Sequence, residues 1–282
     1  MITEQLTQDQ LIAMLAWQVE MGADEAVLDK PSCDLQAPLL KHDTSVLSSA
    51  PSAGKFSYRI SPHSEKKSST QFDSSAPNPA HLDHIDNLPD LATALGQFDS
   101  CPLKHTASNT CFSDGNAGAR LMIIGEAPGR DEDRLGVPFV GAAGQFLDLM
   151  LASIGLDRSG VYLTNFLPWR PPGNRTATIE ETDMLLPFLY RHIQIANPEL
   201  VVILGGIPAK NILESGDSIL KLRGRWQDKD FGDGVIRPTM ASLHPAYLMR
   251  SPAQKRLAFD DWCGLYHRLG KQVENKIPPV SG

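Results

Sequence analysis

Residues 121–144, LMIIGEAPGRDEDRLGVPFVGAAG, join an apolar run, a turn rich in glycine and acids, and the start of a helix. The unbroken run 121–124 is typical of a strand in a parallel sheet that is covered on both faces. Gly125 and the residues after it end the strand, and apolar residues spaced three and four apart predict a helix from about 141 to 154. This order predicts a ligand crevice beyond the carboxyl end of the strand.

The turn matches neither of two common phosphate-binding loops. GEAPG at 125–129 lacks the G-x-G-x-x-G spacing of a dinucleotide site, and Asp131, Glu132 and Asp133 would repel a pyrophosphate. A P-loop is excluded because no Gly-Lys-Ser/Thr follows. Taken alone, the stretch is also compatible with an ordinary strand-to-helix turn whose acids are solvated.

Strands and helices continue to alternate along the chain. The hydrophobic pattern predicts further strands at 161–166, 200–204 and 235–243, and helices at 179–195, 208–213 and 254–269. Such alternation predicts the α/β class, here a three-layer α/β/α domain with a small, four-stranded, mainly parallel sheet.

Composition divides the chain into four parts. Residues 1–30 are predicted to form a short N-terminal helical segment, which is too small to fold alone. Residues 31–90 are rich in Ser and Pro and poor in large apolar residues, which predicts a disordered linker. Residues 91–275 carry the alternating pattern and are predicted to be the folded domain, and 276–282 a tail.

Charge and cysteine usage limit the function classes only loosely. The net charge of −7 lies in residues 1–95, with six Lys or Arg against 13 Asp or Glu, whereas residues 96–282 carry 20 of each. The folded part is thus neutral, which neither favours nor excludes nucleic acid. No signal peptide and no apolar run of about 20 residues is recognisable, so we expect a cytoplasmic protein without membrane contact. The four cysteines form no C-x-x-C pair, which argues against a zinc ribbon.

Polar side chains stand at the ends of three predicted strands. Glu126 follows the first, Asn165 closes the second and His244 ends the fourth. Each has an ordinary alternative role, in a salt bridge, a capped turn or a hydrogen-bonded core. The carboxyl ends of parallel strands share one edge of the sheet, so we expect the three side chains to meet there.

Three loops have features of nucleic-acid binding, although solvated basic loops and local packing are the alternatives. WRPPGNRT at 169–176 combines arginines with a stiff Pro-Pro turn, and KLRGRW at 221–226 places three cations beside a tryptophan. PAYLMR at 245–250 offers apolar side chains that could wedge into a base stack. The candidate DNA-binding residues are Arg170, Asn174, Arg175, Arg223, Arg225, Tyr247, Leu248 and Arg250.

Four ordered motifs make the chain resemble the uracil-DNA glycosylase superfamily, most closely its family 4. They are GEAPGRDEDRLGVPFVGAAGQ, the strand ending in Asn165 with RPPGNRT after it, KLRGRW, and HPAYLMR. The resemblance as a whole runs from about residue 101 to 269. The resemblance implies a parallel sheet between helices. It also implies an enzyme of base-excision repair, which flips deoxyuridine out of DNA and hydrolyses its N-glycosidic bond to leave an abasic site.

The resemblance further implies roles for individual residues. Phe139 would stack on uracil, Asn165 would bind its Watson–Crick edge, and His244 would donate to O2 while uracil leaves as an anion. Glu126 would either stabilise positive charge on the sugar or position the attacking water, a choice that the sequence leaves open. The other substrate-binding positions are Ala127 and Glu132.

One feature of family 4 is missing from this chain. Those enzymes hold an iron–sulfur cluster with four cysteines, and the aligned positions here are Phe98, Cys101, Trp169 and Leu185. Cysteine thiolates are the usual ligands of such clusters, and only one remains. We therefore expect no iron–sulfur cluster, no other metal and no other cofactor.

Three functions fit the resemblance: a monofunctional uracil-DNA glycosylase, a non-catalytic DNA-damage-binding protein on the same fold, and a nucleoside hydrolase. The combination of Phe139, Asn165 and His244 favours the enzyme over the binding protein. The basic loops favour DNA over a free nucleoside. We therefore expect a monomer that acts on uracil-containing DNA.

Overall fold

Four parallel strands form the centre of a six-stranded sheet. The protein is described by a computed structural model over residues 82–274. Within this range the strands are β1 (Asp114–Gly115), β2 (Leu121–Gly125), β3 (Val161–Asn165), β4 (Leu200–Leu204), β5 (Trp226–Asp230) and β6 (Ile236–Ser242). Their order is β1-β3-β2-β4-β6-β5; the four inner strands are parallel and the two outer ones antiparallel to their neighbours.

Nine α-helices connect and cover the strands in residues 82–274. They are α1 (Leu88–Gln97), α2 (Pro102–Thr106), α3 (Arg130–Leu135), α4 (Ala142–Ser153), α5 (Ile179–Ala196), α6 (Gly206–Ile212), α7 (Ile219–Leu222), α8 (Pro245–Arg250) and α9 (Lys255–Glu274). Local sequence explains where they begin: Asn87 caps α1, and Thr178 with Glu181 forms a capping box for α5. None of the helices in this part of the chain has the length and apolar character of a membrane span.

The sheet separates two apolar cores, because successive side chains of a strand point to opposite faces. On β2, Met122 and Ile124 belong to the core covered by α1 and α5, whereas Leu121 and Ile123 belong to the core covered by α4, α8 and α9. The predicted α/β/α architecture is thereby confirmed.

The sheet has two strands more than the sequence predicted. β1 contains only two residues, and β5 has the polar sequence WQDKD, so neither has the apolar run by which the inner strands were recognised. Both lie at sheet edges, where polar strands are common.

The folded region also begins earlier than the predicted boundary at residue 91. Leu82 is buried against the core of α1 and α5, and α1 begins at Leu88, so the last residues of the predicted linker 31–90 are part of the fold. The predicted helical segment 1–30, the rest of that linker and the tail 276–282 lie outside the described residues.

Candidate active site

The carboxyl ends of the parallel strands open onto a pocket of about 410 Å³. Ten of the predicted site residues line it: Glu126, Ala127, Glu132, Phe139, Asn165, Asn174, Arg175, His244, Tyr247 and Arg250. The other four, Arg170, Arg223, Arg225 and Leu248, lie elsewhere in the described structure. The convergence expected from the strand ends is therefore present.

Asn165 ends β3 beside Gly125 of β2. The Asn165 side chain is only 6% exposed, and a Cβ atom on Gly125 would lie 2.3 Å from its Oδ1, so glycine is required there. Within residues 82–274 no protein group hydrogen-bonds to the carboxamide. Because buried polar groups are nearly always paired, this side chain is available to a ligand in the pocket.

His244 precedes α8 and caps it. Its Nδ1 accepts a hydrogen bond from the backbone N–H of Ala246 at 3.2 Å, so the neutral ring carries its proton on Nε2. Burial, helped by the positive charge of Arg250, lowers the pKa of His244 to about 4. At neutral pH the ring is thus an uncharged Nε2–H donor in the wall of the pocket.

Phe139 supplies the aromatic face of the pocket. Its ring lies over the backbone of Gly125, where an added Cβ would be 2.5 Å from Cζ. The ring centroids of Phe139 and His244 are 6.1 Å apart, and the ring planes differ by 23°. The Phe139 backbone has a φ of 56°, in the left-handed region that phenylalanine rarely adopts.

The acidic residues of the first motif have different surroundings. Glu126 is half-buried, burial raises the pKa of its carboxyl, and the charge of Arg250 acts in the opposite direction. No hydrogen bond engages its side chain in the described part of the chain. Glu132, by contrast, accepts the N–H of Gly141 at 2.8 Å and so holds the loop that carries Phe139. Glu126 is therefore the acid free to act on a ligand.

The arginines of the predicted DNA-binding loops differ in how far they are engaged by the protein. Arg170 Nε donates to Asn174 Oδ1 at 2.8 Å, and Arg175 donates two hydrogen bonds to Glu181, at 2.6 and 2.8 Å. Arg225 and Arg250 are exposed.

Two of the predicted DNA-binding residues, Arg223 and Leu248, have partners within the fold. Arg223 is 15% exposed and forms an ion pair with Asp261 of α9, which accounts for it without DNA. Leu248 is completely buried in the core beneath α8, so its predicted DNA contact is corrected. Its neighbour Met249 is 47% exposed, because one step along a helix turns the side chain by about 100°.

One part of the pocket wall was missed by sequence reasoning. Gly205, at the end of β4, has a φ of 109°, and a Cβ there would lie 3.6 Å from Glu126 Oε2 and 3.7 Å from His244 Cβ. The Gly205-Gly206 turn is visible in the sequence, but a glycine contributes only free space to a site. Ile219 of α7 also lines the pocket and carried no sequence signal beyond its apolar character.

The residues at the four cluster-aligned positions do not fit an iron–sulfur cluster. Phe98, Cys101, Trp169 and Leu185 all lie in the apolar core covered by α1 and α5, each at most 4% exposed. Trp169 Nε1 donates to Thr110 Oγ1 at 2.9 Å, and burial raises the pKa of the Cys101 thiol. The described residues contain no group of three or more His, Cys, Asp or Glu that could hold a metal ion.

Comparison with known proteins agrees with the pocket geometry. Residues 112–263 match the family model of the uracil DNA glycosylase superfamily. The chain is 36% identical over 200 residues to a type-4 uracil-DNA glycosylase of Archaeoglobus fulgidus, an alignment covering 70% of this chain and 98% of the relative. Type-4 enzymes of Pyrobaculum aerophilum and Thermotoga maritima are each 38% identical, over 59% and 57% of this chain and 87% and 84% of the relatives. The chain belongs to the uracil-DNA glycosylase superfamily.

Proposed function

We propose that the protein is a monofunctional uracil-DNA glycosylase. It hydrolyses the N-glycosidic bond of a flipped-out deoxyuridine in DNA and leaves an abasic site, the first step of base-excision repair. The observation that carries the proposal is the buried carboxamide of Asn165, which has no partner among the described residues and shares a pocket with Phe139 and His244.

Asn165 selects uracil by its hydrogen-bond pattern. Its amide NH₂ donates to uracil O4, and its carbonyl oxygen accepts from N3–H. Cytosine presents a donor at position 4 and an acceptor at N3, so both groups of Asn165 would face the wrong partner. A site whose buried polar groups are left unpaired rejects a substrate strongly. Phe139 holds the flipped base by stacking against its face.

His244 acts on the leaving group. The Nε2–H donates to uracil O2, where negative charge grows as the glycosidic bond breaks and uracil departs as an anion. This hydrogen bond is stronger in the transition state than in the bound substrate, which is the requirement for catalysis. The lowered pKa keeps the ring neutral, so no proton has to be removed from an imidazolium before each cycle.

Glu126 acts on the sugar side of the broken bond. Its half-buried carboxylate, without a hydrogen-bond partner in residues 82–274, is suited to stabilise positive charge on the deoxyribose or to orient the attacking water. The attack by water is consistent with the pocket wall, which contains no lysine among the described residues to form a Schiff base. Borohydride reduction is therefore expected to trap no covalent adduct between the protein and its abasic product.

Cations on and beside the pocket wall serve DNA binding. Arg175 and Arg250 line the pocket together with Asn174 and Tyr247, and they supply positive charge for backbone phosphates. Arg170 donates to Asn174 of that wall, and the exposed Arg225 stays a predicted phosphate contact outside it. Arg175 is already paired with Glu181, so its contribution is smaller than that of the exposed Arg250.

We further propose that the enzyme acts as a cytoplasmic monomer without an iron–sulfur cluster or other cofactor. Support for the absence of a cluster comes from the side chains at the aligned positions, because Phe98, Trp169 and Leu185 have no atom that can bind iron. They pack together with Cys101 in one apolar core.

The function is tested with labelled oligonucleotides that carry one uracil opposite G, opposite A or unpaired, and a matched oligonucleotide with thymine in its place. Alkali-sensitive cleavage of the uracil strands only is the expected result. Tight binding of uracil DNA without release of the base would identify a damage-binding protein. Cleavage of free deoxyuridine at a comparable rate would identify a nucleoside hydrolase.

A further inference from the structure

The backbone of Phe139 is held in a conformation that needs outside support. Its φ of 56° places a bulky side chain in the left-handed region, which persists only when surrounding contacts impose it. A Cβ atom added to Gly144 would lie only 1.7 Å from the carbonyl oxygen of Phe139. The start of α4 therefore packs closely against this peptide group. Something must fix this carbonyl if the ring is to stay over Gly125.

Arg158 is the group that contacts this carbonyl. It lies in the short helical turn Arg158–Gly160 just before β3, and its Nη2 donates a hydrogen bond to the carbonyl oxygen of Phe139. Arg158 does not line the pocket. Nothing in the motifs that suggested the function includes it.

Two carboxylates orient the guanidinium. Arg158 Nη1 donates to Asp114 of β1 at 2.5 Å, and Nε and Nη2 donate to the two carboxylate oxygens of Asp148 of α4 at 2.9 and 3.2 Å. All three guanidinium nitrogens are thus engaged, and the side chain of Arg158 is 29% exposed. A planar group held at three nitrogens has little freedom to turn, so its hydrogen bond to Phe139 has a defined direction.

We propose that Arg158 is a positioning residue for uracil, which acts by fixing the strained backbone of Phe139 so that the ring is already in its stacking position before the base arrives. The inference rests on the proposed function of Phe139. Arg158 touches neither substrate nor reacting atoms. It therefore affects the alignment of the flipped base rather than the affinity for DNA.

The variants are Arg158→Ala and Arg158→Lys, with Arg191→Ala as the matched control. Lysine keeps the charge and most of the packing, but a single ammonium cannot reproduce the fork that joins Asp114, Asp148 and the carbonyl. Arg191 is likewise partly buried and donates to a carboxylate and to a backbone carbonyl, those of Asp86 and Ile85, but it lies away from the pocket.

Two readouts are measured on the full chain. Single-turnover excision at saturating enzyme is expected to fall at least about tenfold in both Arg158 variants, since small misplacements of a bound reactant are costly. Affinity for uracil-free duplex is expected to stay within about twofold. With 4-fluorophenylalanine incorporated, the ¹⁹F resonance of Phe139, assigned through Phe139→Leu, should shift or broaden in the Arg158 variants. Arg191→Ala should leave both readouts unchanged.

The outcomes separate this inference from the proposed function. Excision rates and a Phe139 resonance that match those of the wild type in Arg158→Lys and Arg158→Ala would overturn the positioning role while leaving the glycosylase intact. A wild-type protein that removes no uracil would overturn the proposed function, and the ¹⁹F signal would still report whether Arg158 holds Phe139.

Discussion

At the scale of single residues, the chemistry of the pocket depends on which nitrogen of His244 carries the proton. The backbone N–H of Ala246 donates a hydrogen bond to Nδ1, so the proton of the neutral ring is on Nε2. Desolvation lowers the pKa of the ring and keeps it uncharged at neutral pH. A neutral donor in the wall of a pocket gains strength as its acceptor becomes negative, because a bound base leaves little water to compete.

This assignment predicts that His244→Ala is defective in chemistry and not in binding. Loss of one donor to a developing anion typically costs about 10²–10³ in rate. Single-turnover excision should fall by this factor, while the dissociation constant for uracil DNA changes little. His267→Ala, on the exposed side of α9, is the control. Equal losses in rate and affinity would mean that His244 supports α8 or a DNA contact instead.

Asn165→Asp is predicted to lose uracil excision. A carboxylate offers no donor to O4 and repels the anion that forms as uracil leaves. Single-turnover rates on a uracil strand measure the loss. Asn116→Asp is a suitable control, because Asn116 uses only its Oδ1, which accepts the N–H of Gly118, and aspartate keeps that acceptor. Undiminished uracil removal by Asn165→Asp would exclude Asn165 from the base edge.

At the scale of elements, β2, β3 and β4 could be predicted because they are short, largely apolar and buried on both faces. The fourth inner strand, β6, was recognised although polar residues interrupt it. Their ends located Glu126, Asn165 and His244. The edge strands β1 and β5 could not be predicted, since their stability comes from pairing with β3 and β6 and not from their own composition. Similarly, the support of Phe139 by Arg158 joins residues 19 positions apart and has no local signal.

Helix α8 shows the limit of reading a motif without its conformation. The sequence of PAYLMR fits either apolar residues that wedge into a base stack or apolar residues that pack beneath the loop, and in a helix they point in different directions. Leu248 packs into the core, while Met249 is exposed. Whether a residue of this motif reaches DNA is therefore decided by its position on the helix.

The apolar filling at the cluster-aligned positions leads to a prediction about iron. The resemblance aligns Trp169 and Leu185 with cluster ligands, but both side chains are buried in an apolar core, and one thiol alone cannot hold a cluster. Protein purified without oxygen should contain no stoichiometric iron, and chelators should leave its activity and thermal midpoint unchanged. Stoichiometric iron with visible absorption, lost together with activity on chelation, would contradict this prediction.

The same packing predicts that Trp169→Ala strongly destabilises the fold. Removal of a buried aromatic side chain typically costs about 3–5 kcal/mol, because a cavity remains. Trp169 is 1% exposed, and its indole N–H is paired with Thr110. Urea unfolding gives the free energy. The comparison is Trp226→Ala, at a partly exposed position on edge strand β5. A loss below about 1 kcal/mol in Trp169→Ala would show that Trp169 does not stabilise this core.

At the scale of the whole molecule, two histidines with lowered pKa values link stability to pH. His192 of α5 stacks on Phe112 with ring centroids 4.3 Å apart, and its Nε2 lies 2.8 Å from the Tyr162 hydroxyl. Burial lowers the pKa of His192 to about 3, and that of His244 to about 4. An unfolded histidine titrates near 6.5. Between these values the unfolded chain binds protons that the folded protein does not.

The stabilisation that these histidines provide should therefore be fully present above pH 6.5. As the pH decreases toward 4, the free energy of unfolding should fall. Each of the two histidines contributes a slope that approaches about 1.4 kcal/mol per pH unit. Glu126 and Asp261, whose pKa values are raised by burial, act in the opposite sense, so the difference between two proteins is the cleaner measurement.

His192→Gln isolates the contribution of His192 to the pH dependence, because glutamine does not titrate. A change in the overall stability of the variant does not affect the slope of its unfolding free energy against pH. Urea unfolding at several pH values between 7.5 and 5 should give a slope smaller by about 1 kcal/mol per pH unit than that of the wild type. His267→Gln, at an exposed position of α9, is the matched control substitution. Parallel curves for the wild type and His192→Gln would mean that the folded protein accepts a charged His192 ring, and that burial of His192 does not make folding sensitive to acid.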